Sequence, residues 1–213
     1  MDKITSGNDY AHDANTPQSS EYIHMPIWHI LQKIQAKKIL DIGCGNGSLC
    51  KDMKSNATKI KRELEIVGVE PSKSGIENAR RLLPDANFYC MGVYDNPRDI
   101  QENNFDAVVS TEVVEHLFYP RELLRFAKAK LRPNGYILLT TPYHGYLKNL
   151  ILSIFNKWDV HHTSLWDGGH IKFWSKKTLF KLLEEEGFRI TQFVGCGRIP
   201  YVWKSMLIVA QLK

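Results

Sequence analysis

The apolar run Lys38-Ile39-Leu40-Asp41-Ile42 breaks directly into Gly43-Cys44-Gly45-Asn46-Gly47-Ser48 and then into a helical pattern. No other stretch constrains the fold as strongly. Three glycines at alternate positions, each without a Cβ, allow a sharp turn and let a ligand lie almost on the main chain. A strand that turns through glycines into a helix belongs to an α/β sheet, whose ligands bind outside the carboxyl ends of the strands.

Glycine turns of this kind serve dinucleotides, nucleoside triphosphates and S-adenosylmethionine alike. Ser48 stands where a dinucleotide fingerprint has its third glycine, and no Gly-Lys-Ser/Thr follows to hold a triphosphate. The run Leu40 to Gly47 resembles the first motif of class I S-adenosylmethionine-dependent methyltransferases. That resemblance implies that Asp41 faces the methionine end of the cofactor and that Gly43, Cys44, Gly45 and Gly47 border it. Downstream, Glu65 to Glu70 reads as a buried strand ending in a carboxylate, which can accept both hydrogen bonds of a ribose diol. Glu70 follows Gly47 by 23 positions, the separation that one helix and one strand require. Gly92-Val93-Tyr94-Asp95 falls where this family lays a backbone amide and a side chain against adenine, so Pro71, Val93 and Tyr94 join the cofactor set. Val93 departs from the acidic residue the family often has there.

The chain has 213 residues, 43% of them hydrophobic and 24% charged, as expected of one ordinary globular domain over 1–213. No apolar run approaches the roughly 20 residues of a membrane span. The polar N-terminus lacks the apolar stretch of a secretion signal, so no transmembrane segment and a cytoplasmic location are expected. Cys44, Cys50, Cys90 and Cys196 form no C-x-x-C pair, which excludes a zinc ribbon or redox motif. A net charge of +5 is modest, and the basic run from Lys51 to Arg62 reads as a solvated face; a small-molecule acceptor, not nucleic acid, is the expected partner. Nothing in the pattern sets an oligomeric state.

Residues 1–20 are polar and read as a flexible arm. Ile23, Ile27, Ile30, Leu31 and Ile34 recur at helical spacing over 21–35, with Pro26 placed early, where a missing N–H is tolerated. Tyr22, His24 and Trp28 would then point elsewhere, into ordinary packing, the commoner fate of such aromatics, or toward the cofactor mouth. Further helices are predicted over 48–55, from Ser72 as N-cap, between Glu112 and Leu131, and over 175–186; further strands over 87–91, 105–111, 136–141, 189–194 and 206–212. This alternation predicts a parallel sheet with helices on both faces. The family resemblance, which runs from about Leu31 to the C-terminus, implies a Rossmann-like, seven-stranded, mostly parallel sheet with an antiparallel last strand.

After the fourth strand, Thr111 and Glu112 reach the cofactor edge. On a helical turn Glu112, Glu115 and His116 would converge on one face. Such a trio can bind a divalent metal or act as acid and base; equally, Glu112 touches cofactor or backbone while the other two order the turn. Glu-x-x-Glu-His here resembles two branches of the family, the O-methyltransferases of ubiquinone biosynthesis and the small-RNA terminal 2′-O-methyltransferases. In the second, such a trio and a further histidine hold a divalent ion. His144, His161, His162 and His170 are available for that role, but no single one is marked out. Metal-independent chemistry is therefore favoured, with Glu112, Glu115 and His116 the ligands if a metal binds.

An inserted segment, 143–174, is read as an acceptor-side lid. Leu147, Leu150, Ile151, Ile154 and Phe155 form an apolar stripe opposite Lys148, Asn149, Ser153 and Asn156, expected to be core, or else a lid over an apolar acceptor or a membrane-surface contact. Asp159, Trp166, Asp167 and Trp174 join the histidines around Gly168-Gly169, a mixture suited to an acceptor with ring surface and hydroxyls. The chain is thus expected to methylate a small-molecule hydroxyl, of a phenol or sugar, leaving S-adenosylhomocysteine. His116 or His144 would be the base, with Glu115 beside it. RNA 2′-O-methylation and small-molecule N-methylation are the alternatives.

Overall fold

The computed structural model describes residues 19–162, 164–166 and 168–213; residues 1–18 of the expected arm and Asp167 lie outside these. Helix α1 (Ser20–Lys33) leads into β1 (Lys38–Ile42), α2 (Ser48–Lys59), β2 (Glu65–Glu70), α3 (Lys73–Leu82) and β3 (Asn87–Cys90). Then come β4 (Phe105–Thr111), α4 (Pro120–Lys130), β5 (Leu131–Pro142), α5 (Tyr146–Ile154), α6 (Trp158–His162), α7 (Lys176–Glu185), β6 (Phe188–Cys196) and β7 (Ser205–Leu212).

Seven strands form one sheet in the order β3-β2-β1-β4-β5-β7-β6. The pairs from β3 to β5 are parallel, and β7 runs antiparallel to both β5 and β6. This is the Rossmann-like α/β fold with an antiparallel last strand. Because successive strand residues point to opposite faces, β1 sends Leu40 and Ile42 to one core and Ile39 to the other. Leu123, Leu124, Leu179 and Leu183 from α4 and α7 fill the first core; Ile27, Leu31, Met53 and Ile76 from α1, α2 and α3 fill the second. Both faces are therefore covered, and ligands are left the strand ends.

Three local expectations are corrected. Pro26 lies inside α1, beyond its first turn, so the helix forgoes one hydrogen bond. Trp28 is buried in the core and His24 bonds Asp52, so of the three side chains only Tyr22 lies near the mouth. The stripe of α5 is turned outward: Tyr146 is 83% exposed, and Leu147, Leu150, Ile154 and Phe155 also face solvent, while Lys148 is 3% exposed. No described helix is long and apolar enough to cross a membrane.

Candidate active site

The amides of Gly43 and Cys44 both donate to Val69 O, at 2.8 and 3.0 Å, folding the turn over the end of β2. Gly43 has φ +78°, and a Cβ there would collide with Val113. Gly45 and Gly47 are also at positive φ, and Gly47 caps α2. The Cys44 side chain is buried toward Gly68, so Cys44 faces the ligand side through its backbone. Gly75, not singled out by sequence, brings α3 within reach of the turn: a Cβ there would stand 3.1 Å from Gly45 O and 3.2 Å from Glu70 Cγ.

Glu70 accepts from Gly45 N at 3.2 Å and from Ser72 N at 3.0 Å, which ties the ends of β1 and β2 together. Burial pushes its pKa up against those two hydrogen bonds; each carboxylate oxygen keeps a second lone pair for a diol. Asp41 is buried and accepts from Cys50 Sγ at 3.2 Å, while its Oδ1 has no partner among the described residues. Burial raises its pKa to about 7. A ligand ammonium near the turn would suit that oxygen. Pro71 lies against Gly92, Val93 is buried, and the Tyr94 hydroxyl accepts from Tyr119 N at 3.2 Å.

At the end of β4 the expected helical turn is replaced by a left-handed residue, Glu112 at φ +53°, and a short 3-10 turn, Val114–His116. This parts the trio. The Glu112 carboxylate turns back to the sheet, accepting from Thr140 Oγ1 at 2.9 Å and Ser205 Oγ at 3.1 Å. Its pKa rises to about 7 through burial. Glu115 is fully buried; its Oε2 accepts from Thr141 Oγ1 at 3.0 Å and its Oε1 has no hydrogen-bond partner among the described residues. His170 takes the place expected of Glu112. Ligand atoms of Glu115, His116 and His170 all lie within 4.8 Å of one another. The amides of Ile171 and Lys172 donate to Glu115 O at 2.9 and 3.0 Å, and these bonds anchor the strand of chain that carries His170.

Gly168 O lies 2.9 Å from His116 Nδ1. Accepting a hydrogen bond from Nδ1–H, it fixes the tautomer and leaves Nε2 with a free lone pair. Burial lowers the pKa of His116 and brings that of His170 to about 4. Neutral imidazoles are the donor state a divalent cation requires, and Glu115, whose pKa burial and the neighbouring Glu112 push well up, would lose its proton to such a cation, so these three residues fit a metal. His144, the other expected base, stacks on His162 with ring centroids 5.6 Å apart, and burial lowers its pKa to about 3. It is a poorer base than His116 at neutral pH. Lys148, read as a solvent-facing residue, instead donates to Lys204 O at 3.3 Å, close enough to Glu112 for their charges to interact.

Residues 22–193 match the family described as a methyltransferase domain. The chain is 29% identical over 180 residues to the ubiquinone biosynthesis O-methyltransferase of Bradyrhizobium diazoefficiens, covering 80% of this chain and 65% of that one. It is 30% identical over 173 residues to the enzyme of the same name from Nitrobacter winogradskyi, covering 77% and 61%. Just under two thirds of these relatives' length is thus spanned. Among solved structures, the methyltransferase domain of bacterial CtHen1-C superposes with TM-score 0.69 at 22% identity, over 92% of this chain and 99% of that one; the likeness is one of fold.

Proposed function

Since this chain belongs to the methyltransferase-domain family, we propose that it transfers a methyl group from S-adenosylmethionine to a hydroxyl oxygen of a small ring molecule, a phenol. The observation that carries this reading is the glycine turn at the end of β1 with Glu70 bonded to its Gly45 amide. Its relatives' shared name, that of O-methyltransferases, supports the choice of oxygen.

When bound, the cofactor supplies a methyl carbon on a sulfonium; the acceptor oxygen forms the new C–O bond while the C–S pair stays on sulfur. Glu70 would take the ribose diol and Asp41 the ammonium group, with Pro71, Val93 and Tyr94 toward adenine and Thr111 at the mouth. His116 Nε2 accepts the acceptor's hydroxyl proton, with Glu115 beside it in the buried cluster. Were a divalent ion bound instead, Glu115, His116 and His170 would hold it, His116 serving as ligand and not as base, and the ion would lower the hydroxyl's pKa as a bound cation does for water. The described residues of 143–174 border the acceptor side. Alignment in a site shielded from water does the remaining work.

Calorimetry tests the reading. S-adenosylhomocysteine is expected to bind and NAD is not; the reverse pattern would overturn it.

A further inference from the structure

Helix α5 is fastened to the rest of the chain by one side chain. Of its nine residues Lys148 alone is buried, while Tyr146, Leu147, Leu150 and Ile154 face solvent and the other apolar residues are half-buried at most. A helix this short is marginal by itself, and α5 takes no apolar face into the core. Burying an ammonium group is costly unless it is hydrogen-bonded and faces opposite charge. What Lys148 meets inside therefore decides whether α5 stays docked.

It meets the start of β7. Lys148 Nζ donates to Lys204 O at 3.3 Å, and the amide of Tyr143, just before α5, donates to the same carbonyl at 3.1 Å. The next residue, Ser205, is 1% exposed and donates from Oγ to Glu112 Oε2 at 3.1 Å, and Glu112 supplies the negative charge that acts on Lys148. Lys204 and Ser205 thus join α5 to the end of β4. On the far side of this joint lies the glycine turn: Glu112 is held left-handed, a conformation that persists only where its surroundings enforce it, and Val113 packs so closely on Gly43 that a Cβ there would collide with it. Tyr22 completes the joint from α1, sharing a hydrogen bond with Ser205, and the Lys204 ammonium lies 4.9 Å from its ring centroid.

Resting on the methyltransferase reading, we propose that Lys148 is a positioning residue, held by Glu112 through Lys204 and Ser205, and that a cofactor in the glycine turn fastens α5 beside the acceptor. A filled turn immobilises Gly43 against Val113. That fixes the Glu112 carboxylate on Ser205, and Lys148 then faces a fixed counter-charge. Helix α5 lifts more often in the empty protein than in the loaded one. Because α5 begins just after His144, its docking also sets where that ring stands.

Hydrogen exchange of the full chain, read by mass spectrometry with and without saturating S-adenosylhomocysteine, tests this. In the wild type the ligand is expected to slow exchange over residues 146–154 by roughly fivefold or more, the lower end of coupling between sites, and to slow residues 176–185 of α7, outside the joint, by less. Lys148→Met removes the charge at similar bulk and Ser205→Ala removes one hydrogen bond. Each is expected to abolish the slowing over 146–154 while calorimetry still finds S-adenosylhomocysteine bound; should Lys148→Met not fold, Ser205→Ala carries the comparison. In the ligand-free chain each substitution is expected to speed exchange over 146–154, and both together no more than the stronger alone. Equal slowing of 146–154 and 176–185 in the wild type, slowing that survives in either variant, loss of S-adenosylhomocysteine binding in either, or single effects that multiply in the double variant would overturn the proposal. Failure of S-adenosylhomocysteine to bind the wild type would instead count against the methyltransferase reading, and the ligand-free comparison would still judge the joint.

Discussion

Glu70 shows how one side chain serves both the fold and the ligand. Its two oxygens already accept from Gly45 and Ser72, so it holds the turn in shape while keeping lone pairs for a diol. Glu70→Ala is expected to weaken S-adenosylhomocysteine binding by about 1–3 kcal/mol, the range for hydrogen bonds to a charged group, as read by calorimetry. A smaller loss would mean that the ribose is held elsewhere. His116 has a different signature. With Nδ1 committed to Gly168 O, Nε2 is the atom left to move a proton. His116→Ala should lower turnover by roughly 10²-fold or more, the typical contribution of a positioned proton-transfer group, with unchanged cofactor affinity. Chelator sorts the two roles further. If Glu115, His116 and His170 hold a metal, chelation abolishes turnover and spares cofactor binding; an acid–base His116 alone is indifferent to it.

Among the elements, α5 departs furthest from its pattern. Its periodicity is that of a helix with one apolar face, and a helix forms, but the apolar face looks outward and Lys148 looks in. Periodicity identifies the two faces of a helix; which one is covered depends on what the sheet presents, here the Lys204 carbonyl and Glu112. Ile154→Ser should accordingly cost less than about 0.5 kcal/mol, as surface changes do, whereas Leu179→Ala in α7, fully buried, should cost about 2–5 kcal/mol. Urea midpoints compare them, and equal losses would show that the stripe is packed. Elsewhere the buried strands were legible, because Phe105 to Thr111 or Lys38 to Ile42 leave only one way to bury so many apolar side chains, but β5 starts at Leu131, well before the expected 136, and α4 only at Pro120. The site was legible in part. Glycines and Glu70 are local signals. The replacement of Glu112 by His170 was not, because it depends on a left-handed backbone at Glu112 and on Thr140 and Ser205, two residues distant in the chain that draw its carboxylate to the sheet.

For the molecule as a whole, Asp41 couples the site to stability. It sits near the middle of the sheet on β1, buried, with a pKa raised from 3.8 to about 7. Burial is the main cause, opposed by the Cys50 hydrogen bond, with Glu70 adding repulsion. The folded protein therefore holds a proton at Asp41 over a range in which the unfolded chain has lost it, so this stabilisation is complete below about pH 4 and is lost as pH rises to about 7. His144 and His161 act in the opposite sense. Their pKa values are lowered from 6.5 to about 3 and about 4, so the stability they contribute is present above pH 6.5 and is lost as pH falls through those values. The two trends overlap in the wild type, and a single stability curve would hide both. Asp41→Asn separates them, because the amide is close in shape and does not ionise. Urea unfolding of both proteins between pH 4 and pH 8 should show the variant gaining on the wild type as pH rises to about 7, with the difference level beyond. A difference that stays flat across the whole range would place the Asp41 pKa near its ordinary value and the carboxylate in contact with a cation or with water.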